Sequence, residues 1–311
     1  MNRYFLATND VEFTSIKYNK QRRESGRLVL EEGLPKLLRL YADYSVNATF
    51  FVTGDIAEEF PDIPRMIVKA GHELASHSYS HQDKYALDEL DLEEQVQQLS
   101  KSKKILEDIG GCKVVSFRAP ALRVNEWTPQ ALQQAGFEID SSISPQRADM
   151  FLSFGAIKKI TRIWADRKPG YVSKYNMNKR GGYGVFEIPI SAFIIPYIGT
   201  MLRICPFATN ILKYIVNLEA GLNGQPVNFL IHPNECFVED DSDFRMRRAK
   251  NLLSHYFAEK IRGKLKLKNL GAKALDLYES QLRFFHDKGY QFVTCKEYYS
   301  IWKINNNQLG D

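Results

Sequence analysis

The feature that most constrains this chain is an alternation. Short apolar runs of β character recur along the 311 residues, and segments of helical periodicity separate them. The runs are YFLAT (4–8), ATFFV (48–52), HELAS (72–76), VVSF (114–117), FEID (137–140), VFEIPI (185–190), VNFLI (227–231) and QFVT (291–294). Between them, Leu34, Leu37, Leu38 and Tyr41 recur at helical spacing, as do Leu90, Val96, Leu99, Ile105 and Leu106. Both stretches read as amphipathic helices laid over a parallel sheet. Because β-α-β crossovers share one hand, successive units continue around and close. The pattern therefore predicts an α/β chain, a distorted (β/α) barrel of about seven or eight parallel strands. An open doubly wound sheet is the other arrangement. We read residues 1–311 as one domain, with 143–184 as an irregular excursion and 240–290 as a helical, basic segment.

Composition removes several classes of function. With 44% hydrophobic and 25% charged residues the chain has the profile of a soluble globular protein. A net charge of +5 is too small to imply nucleic acid, and none is expected as a partner. No G-x-G-x-x-G follows the first strand and no G-x-x-x-x-G-K-[ST] occurs, so a phosphate-cradling loop is missing. The GGYG at 181–184 reads as a turn. The four cysteines form no C-x-x-C pair and are expected to be reduced and mostly buried. The apolar start of MNRYFLATNDVE is too short for a signal-peptide core, and SAFIIPYIG (191–199) is too short to span a bilayer. A cytoplasmic protein is the expectation.

Five segments carry chemistry. In HSYSH, His77 and His81 stand four apart, so on a helical turn they would share a face and a metal ion. With six histidines in the chain, chance alone yields such a pair with probability on the order of 0.1, so context has to decide. The pair follows a strand, where barrels place their sites. His72, which begins that strand, is expected to face the core or a neighbour and is left out of the site. In NDVE, Asp10 and Glu12 are two apart in an extended chain and point the same way, which suits a metal ligand beside a base. In FRAP, Arg118 ends a strand and Pro120 fixes the exit of the chain; the guanidinium can grip a carboxylate and keep it ionised. FEIDSS supplies Asp140. NFLIHPNE places His232 after a very apolar strand, where an acid such as Asp140 would fix its tautomer and raise its pKa.

Taken in order, these segments resemble the polysaccharide deacetylases, carbohydrate esterase family 4, also called the NodB homology domain. His77, Ser78 and His81 meet its H-[ST]-x-x-H motif, Arg118 and Pro120 its R-x-P motif, Asp140 to Ser142 its Asp-Ser segment, and the strand ending at His232 its late histidine motif. The first motif reads TNDVE where the family usually has T-F-D-D-G, closer to the peptidoglycan deacetylases of the Helicobacter type. EIPIS (187–191) and HPNE (232–235) are similar to motifs of deacetylases encoded with exopolysaccharide export systems, with Asn234 in place of a tryptophan at a substrate-contacting position.

The resemblance implies a divalent ion, zinc by preference, on Glu12, His77 and His81. It implies Asp10 as base oriented by Arg118, His232 as acid tuned by Asp140, and Pro120 and Asn234 against substrate. The extra methylene of glutamate leaves open the reverse assignment, Asp10 on the metal and Glu12 as base. The implied reaction is N-deacetylation of an acetylated sugar in a cell-surface polysaccharide or its precursor. A deformylase of lipid-linked aminosugars, a metal-free cyclic-amide hydrolase and a non-catalytic glycan-binding barrel are the alternatives. Ten Lys and Arg residues against Glu259 alone between 244 and 273 suggest contact with an anionic membrane or a lipid-linked glycan.

Overall fold

A computed structural model describes residues 2–145, 162–243 and 262–307, without the side chains of Asp83, Arg262 and Asn307. Its strands are β1 (Tyr4–Val11), β2 (Ala48–Val52), β3 (Glu73–Ser76), β4 (Ser116–Phe117), β5 (Ile139–Asp140), β6 (Gly170–Ser173), β7 (Asn176–Arg180), β8 (Tyr183–Glu187), β9 (Ala192–Phe193), β10 (Ile195–Pro196), β11 (Val227–Ile231) and β12 (Gln291–Phe292). Each of the eight runs legible in the sequence holds one of these strands. The main sheet runs β11-β1-β2-β3-β4-β5-β8-β6-β7, with β12 paired to the start of β1. From β11 to β8, and at β12, every pairing is parallel. The sheet curls as a distorted barrel, and β11 meets the chain just beyond β8, the other end of the parallel run. Asn228 on β11 donates from Nδ2 to the Ile188 carbonyl beyond β8 (3.1 Å), and its own carbonyl accepts from Ser191 N (3.0 Å).

All of β1 is buried, and its period of two separates two environments. Phe5, Ala7 and Val11 belong to the large core under the helices, beside Phe229, Tyr278 and Phe285. Leu6 belongs to a second cluster with Phe51, Ala75, Val115, Ile139 and Phe186, closed by Cys295 and Tyr299 at the start of the C-terminal helix Cys295–Asn307. Along the same inner face come Thr8, Asp10 and Glu12. The barrel interior thus passes from an apolar floor to a polar mouth, and the site stands on that floor.

The helix Leu34–Asp43 buries Leu34, Leu37, Leu40 and Tyr41, close to the stripe read from sequence. The helix Leu92–Gly110 begins at a capping box formed by Asp91 and Glu94 and ends at Gly111, whose φ of 63° supplies the left-handed cap. The expected excursion is corrected over 162–184. There β6 and β7 form an antiparallel hairpin that pairs on to β8, while residues 146–161 lie outside the described residues. The signal was missing because NMNKR of β7 is mostly solvated and shows no apolar alternation. Of GGYG, Gly181 and Gly182 make the turn from β7 into β8, with Gly182 at φ 72°, and Tyr183 and Gly184 begin β8.

Within 240–290 the described helices are Arg262–Lys266 and Ala272–Asp287; residues 244–261, with half of the basic cluster, lie outside the described residues. Among the described residues no helix is long and apolar enough to cross a membrane. The cysteines are free, but only Cys236 and Cys295 are buried, and Cys205 is exposed.

Candidate metal centre and active site

The histidines of HSYSH converge without a helix. Residues 77–81 form a loop beyond β3 in which Ser78 adopts a left-handed φ of 62°. Its geometry is fixed from three sides: the Ser78 carbonyl accepts from Gly54 N (3.0 Å) and Ser102 Oγ (2.8 Å), and Ser78 Oγ donates to Gln98 (2.7 Å). His77 Nδ1 lies 2.8 Å from the Arg118 carbonyl, an acceptor only. Nδ1 therefore carries the proton, and Nε2 turns its lone pair to the cavity. Burial pushes the His77 pKa down, against the pull of Asp10 and Glu12, which favours the neutral ring that a metal requires.

Glu12, His77 and His81 each bring one ligand atom to within 4.8 Å of the others. Glu12 Oε2 is 3.1 Å from His81 Nε2, yet it is buried and makes no hydrogen bond. An orphaned carboxylate oxygen facing two imidazole nitrogens costs free energy unless a cation satisfies it. The residues therefore fit a divalent ion.

Asp10 stands beside this trio. Arg118 Nη1 donates to its Oδ1 at 2.9 Å, while Oδ2 lies 3.8 Å from His77 Nε2 and 3.9 Å from His232 Nε2. Burial alone would raise its pKa; the charge of Arg118, then His77 and His232, outweighs it and holds Asp10 below its ordinary value. Arg118 is fully buried with every arm engaged: Nε to the Ser141 carbonyl (2.8 Å), Nη2 to Ser141 Oγ (2.7 Å), Nη1 also to Thr8 Oγ1 (3.0 Å), and its carbon 4.2 Å over the Phe51 ring. Pro120 is buried in the short turn that follows.

The expected contact of His232 with Asp140 is corrected. Both Asp140 oxygens are taken by Ser142, from its backbone N (3.0 Å) and its Oγ (2.6 Å), and Ser142 Oγ accepts from Ala119 N (2.8 Å). Asp140 thus bolts the DSS segment to the strand exit at Arg118. Opposite it in the ladder stands Glu187, buried, whose pKa burial and the Asp140 charge raise well above the carboxylate range.

The acid on His232 is Glu235: Nδ1 to Oε1 is 3.0 Å across the 3₁₀ turn Pro233–Glu235. Glu235 is fully buried, bound by Arg203 Nε (2.9 Å) and Thr200 Oγ1 (3.0 Å). Against burial, Arg203 and His232 pull it down to about 2. Burial disfavours charge on His232 as well, but Glu235 and Asp10 more than offset it and raise its pKa. The H-x-x-E spacing in HPNE was the available signal, since residues three apart meet within one turn. Nothing in the sequence marked Arg203. Asn234 donates to the Thr14 carbonyl (2.8 Å), while its buried Oδ1 has no hydrogen-bond partner; it lines a cavity of about 510 Å³ with Thr14, Phe237 and Leu267. His72 is half-buried and packs against the rings of Tyr41 and Phe50.

A curled parallel sheet carrying this trio defines the class, and comparison with known proteins agrees. Residues 24–139 match the family model of the polysaccharide deacetylases, and over that segment the chain is similar to this family. The segment contains His77, His81 and Arg118, while Asp10, Glu12, His232 and Glu235 enter the site from outside it. The peptidoglycan deacetylase of Helicobacter pylori is 36% identical over 113 residues, 36% of this chain and 38% of that protein. A chitooligosaccharide deacetylase of Sinorhizobium fredii is 38% identical over 98 residues, 32% of this chain and 43% of that one. The chain thus spans less than half the length of these curated relatives. Among solved structures, an allantoinase shares the fold with a TM-score of 0.53 at 13% identity, over 94% of this chain and 88% of its own.

Proposed function

We propose that this chain is a metal-dependent hydrolase that removes an N-acetyl group from an aminosugar of a cell-surface polysaccharide or its precursor. The observation that carries the reading is the convergence of Glu12, His77 and His81 around an unpaired buried carboxylate oxygen, with an ionised Asp10 at their side. The relatives named as peptidoglycan and chitooligosaccharide deacetylases support the choice of an acetylated glycan.

Glu12 and the two imidazoles would hold a divalent ion, for which zinc suits the donor set. Such an ion supplies Lewis acidity toward the amide carbonyl and lowers the pKa of water. Asp10, kept ionised by Arg118, takes the proton of the attacking water. His232, kept charged by Glu235, hands a proton to the departing nitrogen on the other side of Asp10. Asn234 offers its free Oδ1 to a sugar hydroxyl.

Purified protein offered N-acetyl and N-formyl aminosugar oligomers and precursors tests this directly. Acetate release is expected. Formate without acetate would make it a deformylase, and release of neither would overturn the reading.

A further inference from the structure

The helix Pro206–Asn223 is apolar on two sides. Thr209, Leu212, Val216 and Ala220 face the barrel and are buried. Phe207, Ile211, Tyr214, Leu218 and Leu222, spaced by four, three, four and four residues, form a second stripe along the opposite side. Each is at least half exposed, Phe207 at 78% and Leu222 at 76%. Single exposed leucines are ordinary, but a stripe of five large apolar side chains along one helix marks a contact surface. Phe193 at the end of β9 and Ile194 in the turn to β10 are also exposed. Arg167 ties that turn to the helix by bonding the Ala192 carbonyl (3.0 Å) and Glu219 (2.6 Å).

Cations rim the stripe. Four residues before Phe207, Arg203 holds the carbonyls of Lys266 and Lys268 (2.6 and 2.9 Å), which sets the exposed Lys264 and Lys268 near its first turn. Midway, Tyr214 meets the Phe284 ring edge-on at 5.1 Å, and the exposed Lys288 lies 5.9 Å from that ring. Toward the end, Arg3 Nη2 is 3.5 Å from where a Cβ on Gly221 would lie. The helix has one carboxylate, Glu219, and Arg167 neutralises it.

We propose that this face docks on an anionic lipid surface, the stripe entering the interface and the rim meeting headgroups. An apolar helix face with basic flanks is the chemistry that binds such surfaces. A second copy fits worse. Two-fold pairing of the helix would bring the cationic rims together, with Glu219 on each side already engaged.

The test is flotation of the full chain with vesicles of phosphatidylcholine alone or mixed with phosphatidylglycerol. The protein should float with the mixed vesicles, at least about tenfold better than with the neutral ones, and release in high salt. Ile211→Glu with Leu218→Glu should abolish flotation while leaving the melting temperature unchanged, since both side chains are exposed. Lys264→Glu with Lys288→Glu should remove the preference for the anionic lipid. Flotation of the Glu variant at the original level would overturn the proposal. So would failure of the unaltered protein to float, or a dimer in light scattering that the Glu variant dissociates. Flotation requires no turnover, so its failure and that of the catalytic reading are told apart.

Discussion

His232 and Glu235 face each other across a single 3₁₀ turn, Nδ1 to Oε1 at 3.0 Å, and Arg203 grips the far oxygen of the same carboxylate at 2.9 Å. The imidazole that faces Asp10 is therefore positioned and charged by a buried relay on its own turn. Replacing Glu235 with Gln should lower kcat by roughly 10- to 100-fold, as for groups that orient a reacting residue. Because His232 must be protonated to act as acid, activity falls as pH rises through its pKa. Glu235 raises that pKa, so in Glu235→Gln the alkaline limb of the rate profile should move to lower pH.

The same carboxylate links stability to pH. Its folded pKa of about 2 lies below the ordinary 4.5, so its contribution is complete above pH 4.5 and is lost as pH falls through 2. The shift corresponds to roughly 3 kcal/mol. Urea midpoints measured across that window should fall steeply in the wild type and less steeply in Glu235→Gln.

Arg118 is the keystone between Asp10 and the DSS segment. Arg118→Met leaves a buried carboxylate without its partner, which should cost about 3–5 kcal/mol in urea unfolding. Arg118→Lys should not restore activity, because a single ammonium cannot reach Asp10, Thr8 and both Ser141 oxygens together.

A residue outside the site should also control it. A Cβ on Gly33 would collide with the Pro233 carbonyl, whose carbon is 2.9 Å from that position. Gly33→Ala should therefore shift the turn that carries His232 and Glu235, costing about 1–3 kcal/mol in stability and reducing kcat with little change in bound metal. Unfolding, steady-state rates and metal analysis on one preparation check this.

The strands were legible because buried parallel strands are near-continuous apolar runs, as in ATFFV and VNFLI. The pairing of Asp10 with Glu12 followed from the period of two, and the proximity of His77 to His81 from their spacing, although a loop pinned by Gly54, Gln98 and Ser102 stands where a helical turn was expected. What the residues alone could not convey was which acid meets which base across the barrel. Both Asp140 oxygens are consumed by Ser142, two residues on, and Glu235 is fixed by Arg203 from a helix about thirty residues earlier in the chain.

Metal analysis of the purified protein and of Glu12→Ala, His77→Ala and His81→Ala, paired with acetate release from N-acetylated aminosugar oligomers, tests the central claim most directly. The account predicts one tightly bound divalent ion in the wild type. Each variant should lose it, together with activity, by at least about 100-fold. Undiminished acetate release from a metal-free His77→Ala protein would contradict it.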